Sequence, residues 1–179
     1  MSGIAGMPEF AGQAKVPDEG SGEHDRVVRA VVLGVLSGLA GSAAWVAFGA
    51  ATKHEIGFVA VGVGILVGWS MARVRAGWAG LPFVAAAIAL VSVLLGDIVL
   101  DVYLQADYED IGFGEALGTT LTTPSLARDL FSAYFSPIDA LFWAIATSSA
   151  YRFVSASVGG VKARDADAAP PAQLYGPHA

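Results

Sequence analysis

The sequence predicts an all-α polytopic membrane protein: a four-transmembrane-helix bundle with an amphipathic helix in its long outer loop. Three observations predict it. Hydrophobic residues make up 55% of the 179-residue chain and charged residues only 15%, against about 25% charged in an average soluble domain. The apolar residues are gathered into four long runs. The basic residues segregate to one side of a membrane only if all four runs cross it. A soluble domain of this size needs more charge to keep its surface in water, so the composition excludes a soluble enzyme, a nucleic-acid binder and a disordered chain. Mean hydropathy is +0.59, in line with that exclusion. The chain has no cysteine, which removes a disulfide framework, a cysteine zinc site and an iron–sulfur cluster.

Residues 1–26 are polar, rich in Gly, Pro, Glu and Asp, and without apolar periodicity. They read as a disordered tail. The first apolar run, residues 30–51, carries no charge and exceeds the roughly 20 residues that cross a hydrocarbon core of about 30 Å. It is too long for a signal-peptide core and lies behind a polar leader, so it is expected to be a retained span. The second run, residues 56–72, is bounded by Glu55 and Arg73; the third, residues 81–100, is interrupted by Asp97 near its end.

The fourth run, residues 137–158, is the weakest by hydropathy because Asp139 and Arg152 bracket its clean stretch. Two features support it. Ser136-Pro137-Ile138-Asp139 is a helix start, with Ser as N-cap, Pro at the first helical position and Asp closing a capping box. Arg152 can carry its guanidinium out to the head groups along its own aliphatic stem. The membrane domain then covers residues 27–158, with an outer loop at 101–136 and a second disordered tail at 159–179.

Within the outer loop, Thr123-Pro124-Ser125 opens a helix whose Leu126, Leu130, Phe131 and Tyr134 share one apolar face, as expected of a helix lying in the interface or capping the bundle. Four alternating spans place Lys15, Arg26, Arg29, Arg73, Arg75, Arg152, Lys162 and Arg164 on one side and only Lys53 and Arg128 on the other. By the positive-inside rule both termini and the 73–80 loop are cytoplasmic. A three-span alternative would put the basic C-terminal segment outside. Trp45, Trp69, Trp78 and Trp143 fall near span ends, where aromatic side chains favour the interface. The outer loop is acidic, with Asp101, Asp107, Glu109, Asp110, Glu115 and Asp129 against Arg128.

Small residues line two helix faces: Gly34, Gly38 and Gly41 in span one, and Gly57, Ala60, Gly64 and Gly68 in span two. In lipid, helices attract through close backbone approach and dispersion, which small residues permit. The plainer reading packs spans one and two as a tight hairpin. The second reading is an interface with another copy or a larger membrane complex. Gly62-Val63-Gly64 lies mid-span with no preceding strand and no Lys-Ser/Thr pair, so it is not a nucleotide-binding loop.

Asp97 is the candidate chemical residue, since a carboxylate within a span is costly unless it is hydrated, paired or functional. Asp101 follows one turn later on the same face. The plain reading is a hydrated interfacial carboxylate; the functional reading is a cation site built from Asp97, Asp101 and Glu55, oxygen ligands that hard cations prefer. His54 beside Glu55 is at most half a transition-metal site and reads as a solvated turn. Thr147, Ser148 and Ser149 read as helix-to-helix hydrogen bonders. No G-x-S-x-G, H-E-x-x-H or S-x-x-K element is present, so no catalytic residue and no cofactor is assigned. Arg73 and Arg75 are topology signals and lipid contacts, not a nucleic-acid patch.

Two segments, EIGFVAVGVGILVGWSMARVR (55–75) and SPIDALFWAIATSSAYRF (136–153), resemble a group of small bacterial inner-membrane proteins with four predicted spans. The shared features are a G-V-G-x-x-V-G element followed by Arg and a Pro-Ile-Asp opening of the last span. They fall here on Gly62, Gly64, Gly68, Arg73, Pro137, Asp139, Tyr151 and Arg152. The resemblance implies the fold and a bacterial inner-membrane location, and it implies no activity. The expected function is a non-catalytic accessory or scaffold subunit in the bilayer, associating through its glycine-lined faces. The alternative is a small cation transporter or channel using Asp97 and Asp101.

Overall fold

The computed structural model describes residues 19–52, 58–123, 125, 128 and 136–168. Five helices account for nearly all of these residues: α1 (Glu19–Thr52), α2 (Phe58–Ala72), α3 (Leu81–Glu109), α4 (Phe113–Thr122) and α5 (Pro137–Ala168). No strand occurs among the described residues. The four long apolar runs correspond to α1, α2, α3 and α5. Two of these, α1 and α3, are long and apolar enough to cross a membrane. The 15-residue α2 reaches about 22 Å at 1.5 Å per residue, and α5 is long but less apolar.

Close approaches between helices fix the directions. Gly34, Gly38 and Gly41 of α1 lie against Met71, Val67 and Val63 of α2, so these two helices are antiparallel. The same face of α1 meets Ile88, Ser92, Gly96 and Leu100 of α3 in ascending order, so α1 and α3 are parallel. Gly64 and Gly68 of α2 meet Ala146 and Ala150 of α5, also in parallel. Phe83 meets Tyr151 edge-on with ring centroids 5.2 Å apart and Asp97 meets Trp143, and the two contacts together set α3 antiparallel to α5. The four long helices therefore alternate in direction along the chain. Their spatial order is α1–α2–α5–α3, with α2 and α3 touching across the centre and no close backbone approach between α1 and α5.

This alternation gathers the basic residues. One end of the bundle carries Arg26, Arg29, Arg73, Arg75, Lys162 and Arg164, together with Glu23, Asp25, Asp165 and Asp167. The other carries Asp97, Asp101, Asp107, Glu109, Asp110, Glu115 and Asp139.

The start of α5 has the expected capping box. The Ser136 N–H donates to Asp139 Oδ2 at 2.9 Å, and Ser136 Oγ accepts from the Ile138 N–H at 3.3 Å. These bonds satisfy two of the donors that a helix start leaves without partners.

Three expectations need correction. The tail boundary at 26 falls inside α1, whose first turns include Glu19, Glu23 and Asp25. Glu23 Oε1 accepts from the Gly77 N–H at 2.7 Å, which ties this first part of α1 to the turn after α2. Likewise α5 continues past 158 to Ala168. Third, α3 does not stop at 100 but runs to Glu109, ending on Asp110 in the left-handed region at φ 56°, which Asp tolerates better than most residues.

The outer loop also holds a helix that the sequence did not announce. α4 lies ahead of the expected loop helix and forms despite Gly114 and Gly118, each costing about 1 kcal/mol against Ala in a helix. Packing overrides that cost: Ala116 and Thr120, one turn apart, are buried, and Ala116 joins Val102 and Ala106 of α3 in a second apolar cluster. Ser125 and Arg128 are helical; Leu126, Leu130, Phe131 and Tyr134 lie outside the described residues. So do residues 1–18 and 169–179 of the tails.

Candidate functional site

The polar centre of the bundle joins α3 to α5 near the acidic end. Asp97 Oδ2 accepts a hydrogen bond from Trp143 Nε1 at 2.8 Å. The sequence offers the reason for both positions: Asp97 follows the closely packed Gly96, and Trp143 lies two turns into α5 after the Ser136 cap. An indole N–H is donor only, and a carboxylate is a strong acceptor. In a site shielded from water such a bond is worth more than at the surface. Asp97 is thus tied to α5 through Oδ2 while remaining half-buried. Asp101 is half-buried one turn further along α3. Glu55, the third ligand expected for a cation, lies outside the described residues, as does His54. Among the described residues no three His, Asp or Glu side chains are gathered to hold a metal ion.

The glycine faces pack helices, but in a different pairing from a simple hairpin. Gly34, Gly38 and Gly41 serve both α2 and α3, whereas Gly64 and Gly68 serve α5. A Cβ on Gly64 would stand 2.6 Å from Ala146 Cα, and one on Gly68 would stand 2.7 Å from Ala150 Cα. Backbone meets backbone there, which only glycine permits. Ala60 is fully buried in the same core; Gly57 lies outside the described residues. Gly62 faces away, with nothing within 4 Å of its would-be Cβ.

Hydroxyl groups bind the helices together, at positions other than those expected. Ser42 Oγ donates to the carbonyl of Ser92 on α3 and lies 3.0 Å from its own Gly38 carbonyl. Ser37 and Ser70 hydroxyls are 2.8 Å apart across α1 and α2. Ser157 of α5 donates to the Ala72 carbonyl at 2.8 Å, capping the end of α2. In contrast, Ser148 bonds within its own helix, to the Ile145 carbonyl, and Thr147 Oγ1 is buried without a partner. The helical spacing that marked the glycines of α1 also contains Ser37 and Ser42, so these two bonding positions were open to the same reading.

The tryptophans divide. Trp69 and Trp78 are about half exposed, and the Arg73 guanidinium stacks over Trp69 at 3.6 Å from the ring centroid. Such an arrangement suits a charged head at an apolar boundary. Trp45 departs from the interfacial expectation: it is buried against Gly96. The absence of a side chain at Gly96 leaves room for its ring.

An open apolar groove of about 520 Å³ runs between α3 and α5, bounded by Leu90, Trp143, Thr147, Tyr151 and Arg152 among others. A second, more polar cleft of about 340 Å³ lies at the basic end. No protein-family model, curated protein or solved structure matches the chain.

Proposed function

We propose that the chain is a four-span integral membrane protein of the bacterial inner membrane, with both termini at the cytoplasmic, basic end, acting as a non-catalytic accessory or scaffold subunit. One observation carries the membrane reading: small residues fill many of the helix contacts while much of the large apolar surface faces outward. Ala60, Ala85, Ala89, Ala146 and Ala150 are fully buried, while Phe58, Phe83 and Val91 are more than 60% exposed. Leu33, Leu36, Leu39, Ile65, Leu66, Leu95, Ile98, Leu141 and Ile145 are exposed as well. In water, so large an apolar surface would drive aggregation; in lipid it is the ordinary outer face of a bundle whose small residues meet inside. The most apolar stretches of α1 and α3 are only 28% and 33% buried within the chain, unlike core helices of a soluble domain. The segregation of arginines to one end supports the orientation, and the motif resemblance supports the location.

The interior supports a scaffold over a conduit. Among the described residues the polar ones buried as a whole are Ser42, Ser92 and Thr120, and Trp45 Nε1 and Thr147 Oγ1 are buried single atoms without a partner. Ser42 and Thr120 donate to backbone carbonyls, and the Ser92 carbonyl accepts from Ser42. Since the glycine faces are used inside the bundle, association with a neighbour falls to its outer aliphatic and aromatic surface. Gentle solubilisation followed by light scattering tests this reading. A protein mass above the 18.3 kDa of one chain is expected, from a second copy or another membrane protein. A population consisting only of monomer contradicts it.

A further inference from the structure

We propose that the cleft at the basic end binds the phosphate of an anionic phospholipid head group from the adjoining leaflet, an inference that rests on the membrane reading above. Three guanidinium-bearing residues from three separate elements line it: Arg26 of α1, Arg75 of the 73–80 turn and Arg164 of α5. Val74, Val161 and Asp165 complete its walls. Three potential cations face one carboxylate, so the cleft is complementary to an anion. Its volume of about 340 Å³ admits a head group, and guanidinium forks match phosphate oxygens in pairs.

The walls are held by bonds that do not involve the arginines. Glu23 of α1 accepts from the Gly77 N–H of the turn, and Ser157 of α5 caps the carbonyl of Ala72 just before the turn. The turn itself keeps Arg75 at φ 54°, where a residue with a Cβ is strained by about 1–2 kcal/mol. The Arg75 N–H donates to the Ala72 carbonyl at 3.3 Å. A cleft whose walls are fixed beforehand loses little ordering entropy when a ligand enters.

The location argues for a lipid source. The cleft lies where the apolar stretches of α1 and α2 end and charge begins, the level at which basic pockets between helices meet anionic head groups. The neighbouring Trp69–Arg73 pair sits at the same boundary.

The test reconstitutes the full chain into vesicles of phosphatidylcholine mixed with phosphatidylglycerol and counts the lipids retained on the purified protein by native mass spectrometry. The expected result is preferential retention of phosphatidylglycerol by the wild type and by Arg29→Gln/Arg73→Gln/Arg152→Gln, which removes three charges outside the cleft. Arg26→Gln/Arg75→Gln/Arg164→Gln is expected to abolish the preference. Arg164→Gln alone, an exposed position near the end of α5, lowers it about fivefold. Equal retention by the two triple variants, or no effect of Arg164→Gln, overturns the proposal. Displacement of the lipid by millimolar inorganic phosphate overturns the lipid source. A wild-type chain that inserts but shows no preference defeats this inference alone, whereas a chain that does not float with the vesicles defeats the membrane reading and this one with it.

Discussion

Replacing Gly64 or Gly68 by alanine is expected to weaken the bundle by about 1–3 kcal/mol each, the usual cost of overpacking a tight core. Gly62→Ala, two residues away on the same helix, should be neutral or stabilising by up to about 1 kcal/mol. The difference comes from what a new methyl group meets. At Gly64 and Gly68 it meets the backbone of α5, with Cα atoms at 2.6 and 2.7 Å, and a helix backbone cannot move aside without separating the two helices. At Gly62 it meets open space, and alanine's better helix propensity is then felt alone. Gly34→Ala belongs between them. Its nearest neighbour, at 2.5 Å, is the sulfur of Met71, a flexible side chain that can shift. Denaturant titration of each variant in detergent, read by circular dichroism, gives the order. Equal losses at Gly62 and Gly64 would contradict the α2–α5 seam.

Trp143→Phe is expected to cost about 1.5–3 kcal/mol, the range for a hydrogen bond to a charged group. The change removes the donor to Asp97 together with part of the indole ring, so its loss includes packing, and the double-mutant cycle below isolates the bond. Asp97→Asn should cost less, because the amide oxygen still accepts from the indole at the same place. In a double-mutant cycle, adding Asp97→Asn to Trp143→Phe should cost less than the sum of the two single changes, since both act on one bond. Strict additivity, or a Trp143→Phe variant as stable as the wild type, would show that the Asp97–Trp143 bond does not hold α3 to α5. The geometry gives the carboxylate a partner on α5 that the sequence reading did not provide.

Local features of this fold were legible and distant pairings were not. The start of α5 could be read from Ser136-Pro137-Ile138-Asp139 because a capping box is closed by residues three apart. The runs behind α1, α2 and α3 could be read because uncharged apolar length is itself the signal. The glycine faces announced close approach but not the partner: periodicity places Gly64 and Gly68 on one face and says nothing of α5 lying there. The early start of α1 was hidden because the bond at Glu23 reaches Gly77, 54 positions away. α4 was hidden because its glycines and threonines are poor helix formers, and it depends on burying Ala116 and Thr120. Asp97 was picked out as unusual, yet its partner lies 46 positions off, and the inward turn of Trp45 depends on the space left by Gly96.

Single-cysteine labelling tests the central claim most directly, since the chain has no cysteine of its own. Gly22, Ala79 and Gly160 are exposed at the basic end and Gly112 at the acidic end. In intact bacterial cells, a membrane-impermeant maleimide should modify Gly112→Cys. It should reach Gly22→Cys, Ala79→Cys and Gly160→Cys only after the membrane is opened. Labelling of Gly160→Cys from the outside, or of Gly112→Cys and Ala79→Cys with equal ease in intact cells, would contradict the four-span arrangement.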